Sequence, residues 1–236
     1  MNETRVIGQG FAGAQLRHEL FHDGSGDARP GVILFPTVMG VTDLERGFAG
    51  RLVGLGYSAL IADLYGRRFA PAERDEAMAA MTALREDRAG LRERLLAVLG
   101  AAQEQEEIDD QRVAAIGFCF GGQNALDLAR SGAEVAGVAS FHGLFDPPGL
   151  PPRPIPAKVA AYHGWDDPLV PPEAVVALAE ELTEAGCDWQ ISAFGHVGHG
   201  FTNPGATGAM PGIKYDERSA RRAWAACDCF LAECFE

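Results

Sequence analysis

The sequence predicts an α/β protein with a mainly parallel, doubly wound sheet and helices on both faces. Short apolar runs, which are typical of strands buried on both faces, alternate along the chain with segments of helical composition. The predicted buried strands cover 31–35, 57–62, 113–116, 135–141, 158–162 and 188–194. In such a sheet the functional residues gather where the parallel strands end, at their carboxyl edge.

The intervening segments complete this prediction. Helices are expected over 42–55, 72–106, 123–130, 171–185 and 215–235, with one or two opening strands within 4–20. Gly90 is the expected break in the long 72–106 segment, because glycine is a poor helix former. The 146–156 segment holds six prolines and is predicted to be a stiff loop, and 195–213 is predicted to be irregular. Neither a repeat nor a linker interrupts the pattern, so we expect a single domain over 1–236.

Composition narrows the range of functions. The 236 residues carry a net charge of -13, which argues against nucleic acid and anionic membrane surfaces as partners. The apolar runs are too short to span a membrane, and no targeting segment is apparent. Five cysteines make a disulfide framework improbable, so we expect a reducing, cytoplasmic setting with Cys227, Cys229 and Cys234 as plain thiols. No pattern calls for a metal or a cofactor, and none bears on the oligomeric state.

The segment Gly117-Phe-Cys119-Phe-Gly121 has the spacing of a strand–nucleophile–helix elbow, with cysteine at the nucleophile position. A nucleophile at such a turn has a strained backbone, and its neighbours two residues away must be small. The helix N-terminus favours a thiolate, and the N–H of Phe120 becomes an oxyanion donor. The alternative is a glycine turn around a buried, inert cysteine, but strand, elbow and helix signals agree on the nucleophile.

A cysteine nucleophile requires a base and an acid that orients the base. The candidates that follow Cys119 at strand ends are Asp146, Asp166, Asp167, His142, His163, His196 and His199. Asp167 is favoured over Asp166, which is more easily explained as a turn or N-cap residue. His199 lies between two glycines that let its ring bend back over the sheet, whereas His196 is interpreted as an exposed loop residue.

These motifs resemble the dienelactone hydrolases, a cysteine branch of the α/β-hydrolase fold. The resemblance covers nearly the whole chain and is carried by Gly117–Gly122, Asp63-Leu-Tyr65, Gly164–Pro171 and His199-Gly-Phe-Thr-Asn203. It implies the α/β-hydrolase fold and a triad of Cys119, Asp167 and His199. It also implies an oxyanion hole formed by the N–H groups of Phe120 and Val38.

Two positions depart from the family pattern. Thr37 stands where family members acting on dienelactone have a glutamate that touches the resting cysteine. Asn203 stands where they have an arginine that holds the substrate carboxylate. A second family arginine could correspond to Arg67, Arg68 or Arg74. The expected pocket residues are Thr37, His142, Trp165 and Asn203, with Phe120 and the 202–213 loop.

The expected function is therefore the hydrolysis of a small ester or lactone through a covalent acyl-enzyme, with no metal or cofactor. The natural substrate remains open. One alternative is a thioesterase or acyltransferase that uses the same triad. Another is a non-catalytic, redox-responsive thiol protein, because an exposed cysteine of low pKa also suits that role.

Overall fold

Eight strands form one sheet in the computed structural model, which describes residues 3–236. Their order across the sheet is β1-β2-β4-β3-β5-β6-β7-β8. The bounds are β1 (Glu3–Phe11), β2 (Ala14–His22), β3 (Arg29–Phe35), β4 (Ser58–Ile61), β5 (Ile108–Phe118), β6 (Gly137–Phe141), β7 (Lys158–Gly164) and β8 (Trp189–Phe194). Strands β3 to β8 pair in parallel, while β1 and β2 form an antiparallel hairpin whose second strand pairs antiparallel with β4. The predicted mainly parallel sheet is confirmed.

Helices cover both faces of the sheet, as predicted. They are α1 (Asp43–Gly54), α2 (Arg74–Glu86), α3 (Arg88–Gln103), α4 (Phe120–Arg130), α5 (Pro172–Glu184) and α6 (Glu217–Cys234). One apolar core lies between the sheet and α2 to α5, and a second lies between the sheet and α1 with α6. Strand β3 explains the continuous apolar runs, because Ile33 and Phe35 enter the first core while Val32 and Leu34 enter the second.

The helix break predicted at Gly90 occurs at Asp87 instead. The Asp87 side chain accepts a hydrogen bond from the Gly90 N–H at 2.9 Å and so caps the start of α3. An aspartate at the N-cap satisfies a backbone donor that would otherwise lack a partner. Gly90 lies inside the first turn of α3, and the capping residue rather than the glycine marks the boundary.

The prediction that 195–213 is irregular also needs correction. Within it, β9 (Thr207–Met210) pairs antiparallel with β10 (Ile213–Lys214) in a small separate hairpin. Ile213 forms a parallel bridge with His199, so the hairpin supports the loop that carries this histidine. Short strands of mixed polarity such as Thr207–Met210 have no clear alternation, and the sequence therefore gave little sign of them.

Backbone atoms meet directly around the elbow. A Cβ atom added to Gly117 would lie 1.9 Å from the carbonyl oxygen of Gly121, and one added to Gly121 would lie 2.0 Å from that of Phe35. Strand β5, helix α4 and the end of β3 approach this closely only because both positions are glycine. None of the helices within 3–236 has the length and apolar character needed to cross a membrane.

Replacing Gly117 with alanine should lower the free energy of unfolding by about 3 kcal/mol or more, because the new methyl overlaps backbone that cannot rotate away. Gly47→Ala is the matched control, since Gly47 is an exposed position inside α1 with no atom near the new methyl. That control should stabilise the protein by about 0.5–1 kcal/mol. Urea unfolding of both variants measures the difference, and wild-type stability of Gly117→Ala would contradict the packing argument.

Candidate active site

Cys119 occupies the turn between β5 and α4 with the strained backbone predicted for it. Its φ is 57° and its ψ is -117°, values that non-glycine residues rarely adopt. The Cys119 N–H donates to the Phe141 carbonyl at 3.0 Å, and its own carbonyl accepts from the Gln123 N–H at 3.2 Å. These two bonds hold the half-buried side chain at the N-terminus of α4, at the carboxyl edge of the sheet.

His199 and Asp167 are joined by a buried hydrogen bond. Asp167 Oδ2 lies 2.8 Å from His199 Nδ1, and the two residues are 3% and 4% exposed. Asp167 Oδ1 accepts from the Leu169 N–H at 2.8 Å, so the carboxylate is fixed on both sides. The His199 backbone donates to the Gly212 carbonyl at 2.8 Å, ahead of β10. His199 Nε2 has no hydrogen-bond partner within residues 3–236 and is the nitrogen left for a reacting group.

The thiol and the imidazole form a charge pair. Burial by itself raises the pKa of Cys119, but the positive charge of His199 and the Phe120 N–H together bring that pKa below its ordinary value. Burial likewise lowers the pKa of His199, yet the Cys119 thiolate and Asp167 outweigh it and raise that pKa to about 10. Both shifts favour a thiolate beside an imidazolium.

The neighbouring Asp166 and His196 form a similar pair, but this pair is exposed to solvent. Asp166 Oδ2 lies 3.7 Å from His196 Nδ1, and their side chains are 56% and 99% exposed. This pair lies in solvent, whereas Asp167 and His199 lie in the interior, so only the second pair acts in a low-dielectric setting. The contrast supplies matched positions for mutagenesis.

Two further histidines are buried close to His199. The His142 ring lies 5.0 Å from the His199 ring, centroid to centroid, and its Nε2 lies 2.8 Å from Thr202 Oγ1. Burial and then the charge of His199 hold the pKa of His142 well below its usual value, so this ring is neutral. His163 is also buried, against Phe145, and burial lowers its pKa too. His142 is thus 1% exposed and lies beside His199.

The Val38 amide lies in a turn in which the Gly40 N–H donates to the Thr37 carbonyl at 2.9 Å. Among the described residues, no acceptor binds the Val38 N–H, which leaves it free for an oxyanion. The Phe120 N–H is the first of α4 and interacts with the Cys119 sulfur. One amide in the turn after β3 and one at the start of α4 are therefore available as hydrogen-bond donors.

Glu45 braces this turn and was missed from the sequence. Its carboxylate is fully buried and accepts from the Thr37 N–H at 3.2 Å, the Thr37 hydroxyl at 3.1 Å and the Thr42 N–H at 3.0 Å. The Thr42 hydroxyl also donates to it. The signal was the capping box Thr42-Asp-Leu-Glu45 at the start of α1, which predicts the bond from the Thr42 N–H but not those from the Thr42 hydroxyl and from Thr37.

The remaining predicted pocket residues differ in exposure and in their contacts. The Thr37 hydroxyl is engaged by Glu45, and Asn203 Oδ1 accepts from the Gly205 N–H at 2.8 Å within a surface turn. Trp165 is 42% exposed beside the Asp166–Asp167 turn.

Two of the candidate arginines are already paired. Arg68 binds Asp63 at 3.0 Å and Glu19 at 3.3 Å. Arg67 binds Glu73 at 2.9 Å and lies over the Phe69 ring at 4.5 Å. Arg74 begins α2. A substrate carboxylate would have to compete with these partners for either paired guanidinium.

The elbow at the carboxyl edge of a mainly parallel sheet, followed in sequence by an acid and a histidine in strand-end loops, defines an α/β hydrolase. Comparison with known proteins narrows the class. The model of the dienelactone hydrolase family matches residues 20–235. The chain belongs to this family and is a carboxylic ester hydrolase.

Several relatives support the assignment. Carboxymethylenebutenolidase 1 of Cupriavidus pinatubonensis is 28% identical over 186 residues, which cover 74% of this chain and 76% of that protein. The solved structure of m3DLH is 38% identical with a TM-score of 0.90, covering 100% of this chain and 99% of the other. P91, a dienelactone hydrolase-like promiscuous phosphotriesterase from metagenomic libraries, is 35% identical with a TM-score of 0.90 and the same coverage.

Iodoacetamide should alkylate Cys119 faster than the other cysteines at neutral pH. Its pKa is lowered, so its thiolate persists below the ordinary thiol range and is lost only as the pH falls through the lowered pKa. Burial raises the pKa of Cys187, and it raises that of Cys234 to about 12, so these thiols require high pH. Mass spectrometry after brief labelling measures the order.

The His199→Gln variant tests the cause of this reactivity. Without the imidazolium the pKa of Cys119 should rise, and its alkylation profile should move to higher pH. His196→Gln is the control and should leave the profile unchanged, because that side chain is exposed. Equal labelling of Cys119 and Cys187 in the wild type at pH 7 would contradict the assignment of a charge pair.

Proposed function

We propose that Cys119, His199 and Asp167 form a catalytic triad that hydrolyses small esters or lactones through an acyl-enzyme. The Cys119 thiolate attacks the carbonyl carbon, and the N–H groups of Phe120 and Val38 hold the resulting oxyanion. The adduct collapses, and the leaving alkoxide takes the proton from His199 Nε2. His199 then removes a proton from water, which attacks the thioester. Collapse of this second adduct releases the acid and regenerates the thiolate and imidazolium.

The observation that carries this proposal is the buried chain of charges from Asp167 through His199 to the strained Cys119. Each member supplies one requirement of nucleophilic catalysis, namely a charged nucleophile, a base and a group that fixes the base. A merely redox-responsive thiol needs a low pKa but has no need of a buried carboxylate on the far side of the imidazole. The same geometry serves a thioester substrate, so the acyl donor must be found by assay.

The triad is tested with matched variants and a p-nitrophenyl acetate assay. Cys119→Ala should abolish turnover, and Asp167→Asn should lower kcat by a large factor, on the order of 10⁴ by analogy with triads in which the acid is replaced by the amide. Asp166→Asn and His196→Ala are the controls and should stay within about twofold of the wild type, since both side chains are exposed. A burst followed by steady turnover would identify the acyl-enzyme.

The controls also separate the alternatives. Wild-type turnover by Cys119→Ala would rule out cysteine catalysis. A reactive Cys119 that is acylated once but never turns over would favour the redox-responsive thiol. Faster turnover of acyl thioesters than of oxygen esters of the same acyl group would favour a thioesterase.

A second candidate activity is phosphotriester hydrolysis, and the similarity to P91 over the full chain favours it. Attack of a thiolate at phosphorus develops negative charge on the phosphoryl oxygen, which the same two amides can stabilise. Paraoxon, added to the assay of the same variants, tests this activity. Nitrophenol release that depends on Cys119 supports it, and release that persists in Cys119→Ala excludes it.

Neutral lactones should be better substrates than dienelactone, which carries a carboxylate. Asn203 offers no charge, and its side-chain oxygen is engaged with Gly205, while Arg67 and Arg68 are engaged with carboxylates. A hydrogen bond to a charged group contributes about 1.5–3 kcal/mol, so its absence should lower kcat/KM roughly tenfold to a hundredfold. Measuring kcat/KM for dienelactone and for a neutral lactone of similar size decides the matter. A clear preference for dienelactone would refute this prediction.

A further inference from the structure

Tyr65 connects the two loops that carry the proposed oxyanion donors. Its hydroxyl donates to the Val38 carbonyl at 3.1 Å. Its ring stacks on Phe120 with an interplanar angle of 18° and a centroid distance of 6.4 Å. The Tyr65 side chain thus contacts Val38, in the turn after β3, and Phe120, directly after Cys119. These two residues carry the proposed oxyanion donors.

The position of Tyr65 is itself fixed by buried polar contacts. Its N–H donates to Asp63 Oδ1 at 3.0 Å, and the following N–H of Gly66 donates to the same oxygen at 3.0 Å. Asp63 is 1% exposed, and its other oxygen accepts from the Arg17 N–H at 2.9 Å and pairs with Arg68 at 3.0 Å. The carboxylate is satisfied on every side, so the backbone that carries the tyrosine has a single well-defined position.

The Tyr65 ring also packs against the turn that it holds. A Cβ atom added to Gly40 would lie 3.3 Å from Tyr65 Cδ2, so ring and backbone are in close contact there. Gly40 has a φ of 72° and closes the Thr37–Gly40 turn. The hydroxyl and the ring therefore hold the turn at two points, on either side of Met39. Burial first, and then the nearby Cys119 thiolate, raises the pKa of Tyr65, so the hydroxyl remains a donor throughout the neutral range.

We propose that Tyr65 is a positioning residue, which sets the direction of the Val38 amide and couples it to the Phe120 amide, so that both meet one developing oxyanion. This inference rests on the proposed cysteine hydrolase. The hydroxyl is engaged by Val38, so it acts through the turn and needs no contact with substrate. Glu45 holds the start of the same turn through Thr37, and Tyr65 supplies the link across to α4.

This role predicts a separation between two reactions of the same cysteine. Ester hydrolysis passes through an oxyanion and requires the aligned amides, whereas alkylation by iodoacetamide forms no oxyanion and requires only the thiolate. Tyr65→Phe keeps the ring and removes the hydroxyl. It should lower kcat for p-nitrophenyl acetate about 3- to 10-fold, the effect of one neutral hydrogen bond, with KM nearly unchanged. The alkylation rate of Cys119 should stay within about twofold of the wild type.

Tyr57→Phe is the matched control, because that ring packs on Phe235 at the far end of the molecule from the elbow, near the start of β4. It should retain wild-type kcat. A second measurement uses a short trifluoromethyl ketone, whose adduct with the thiolate carries an oxyanion. Its inhibition constant should weaken in Tyr65→Phe by the same factor as kcat. Equal melting temperatures of the two tyrosine variants would exclude a general loss of structure as the cause.

The outcomes are distinguishable. Wild-type kcat in Tyr65→Phe, or a change in KM alone, would overturn the positioning role while leaving the triad intact. A parallel fall in alkylation would also overturn it, because the thiolate itself would then be affected. Failure of the underlying hydrolase proposal would appear elsewhere, as turnover that persists in Cys119→Ala.

Discussion

Backbone-to-backbone packing around Cys119 is the constraint on which the rest of the site depends. Gly117 meets Gly121, and Gly121 meets the carbonyl of Phe35, without any side chain between them. Because only backbone atoms are in contact, no side chain can change its rotamer to accommodate a shift. The end of β3 and the start of α4 therefore have a fixed separation. The amides of Val38 and Phe120 lie on these two segments. A left-handed residue costs on the order of 1–3 kcal/mol, and the surrounding cores and the bond to Phe141 offset it.

The buried charges of the site are balanced locally, although the protein as a whole carries a charge of -13. The signs of charge favoured at Asp167, His199 and Cys119 alternate along the series. The neighbouring His142 and His163 remain neutral and add no positive charge beside His199. Glu45 and Asp63 are each satisfied by several donors. An unpaired buried charge costs several kcal/mol, so each of these carboxylates depends on its donors remaining in place. The polar network therefore makes the geometry of the site cooperative, because displacing one loop leaves a charge without its partners.

The sequence predicts those features that depend on local spacing. The elbow could be recognised because its glycines and Cys119 are separated by fixed, short intervals, and the parallel sheet because its strands are buried on both faces. The choice of His199 over His196 followed from flanking glycines, and the burial of one and exposure of the other agree with it.

Other features arise from contacts between distant segments and could not be predicted. Glu45 meets Thr37 only because α1 folds back over the end of β3, and the capping box accounts for only one of the four bonds to its carboxylate. His142 follows β6 with a φ of 38°, a value that no local pattern requires, and its ring lies 5.0 Å from that of His199. The helix boundary lies at Asp87 rather than at the predicted Gly90, because a capping carboxylate outweighs the weak helix propensity of glycine.

Threonine at position 37, in place of the glutamate expected from the family resemblance, removes an acidic group from beside the resting thiol of Cys119. The resemblance to family members acting on dienelactone implies a glutamate at this position, in contact with the resting cysteine. Here the nearby carboxylate belongs to Glu45, which approaches Thr37 from α1 and is saturated by four donors. No acid at position 37 is therefore available to protonate the resting thiol, and the sulfur is left with His199 and the Phe120 amide. We expect a thiolate that persists in this way to react without waiting for a substrate to activate it. The same permanence exposes the half-buried sulfur to oxidation, because the thiolate is the oxidisable form. We therefore expect reactivity toward neutral carbonyls and sensitivity to oxidants to have one physical origin in this site.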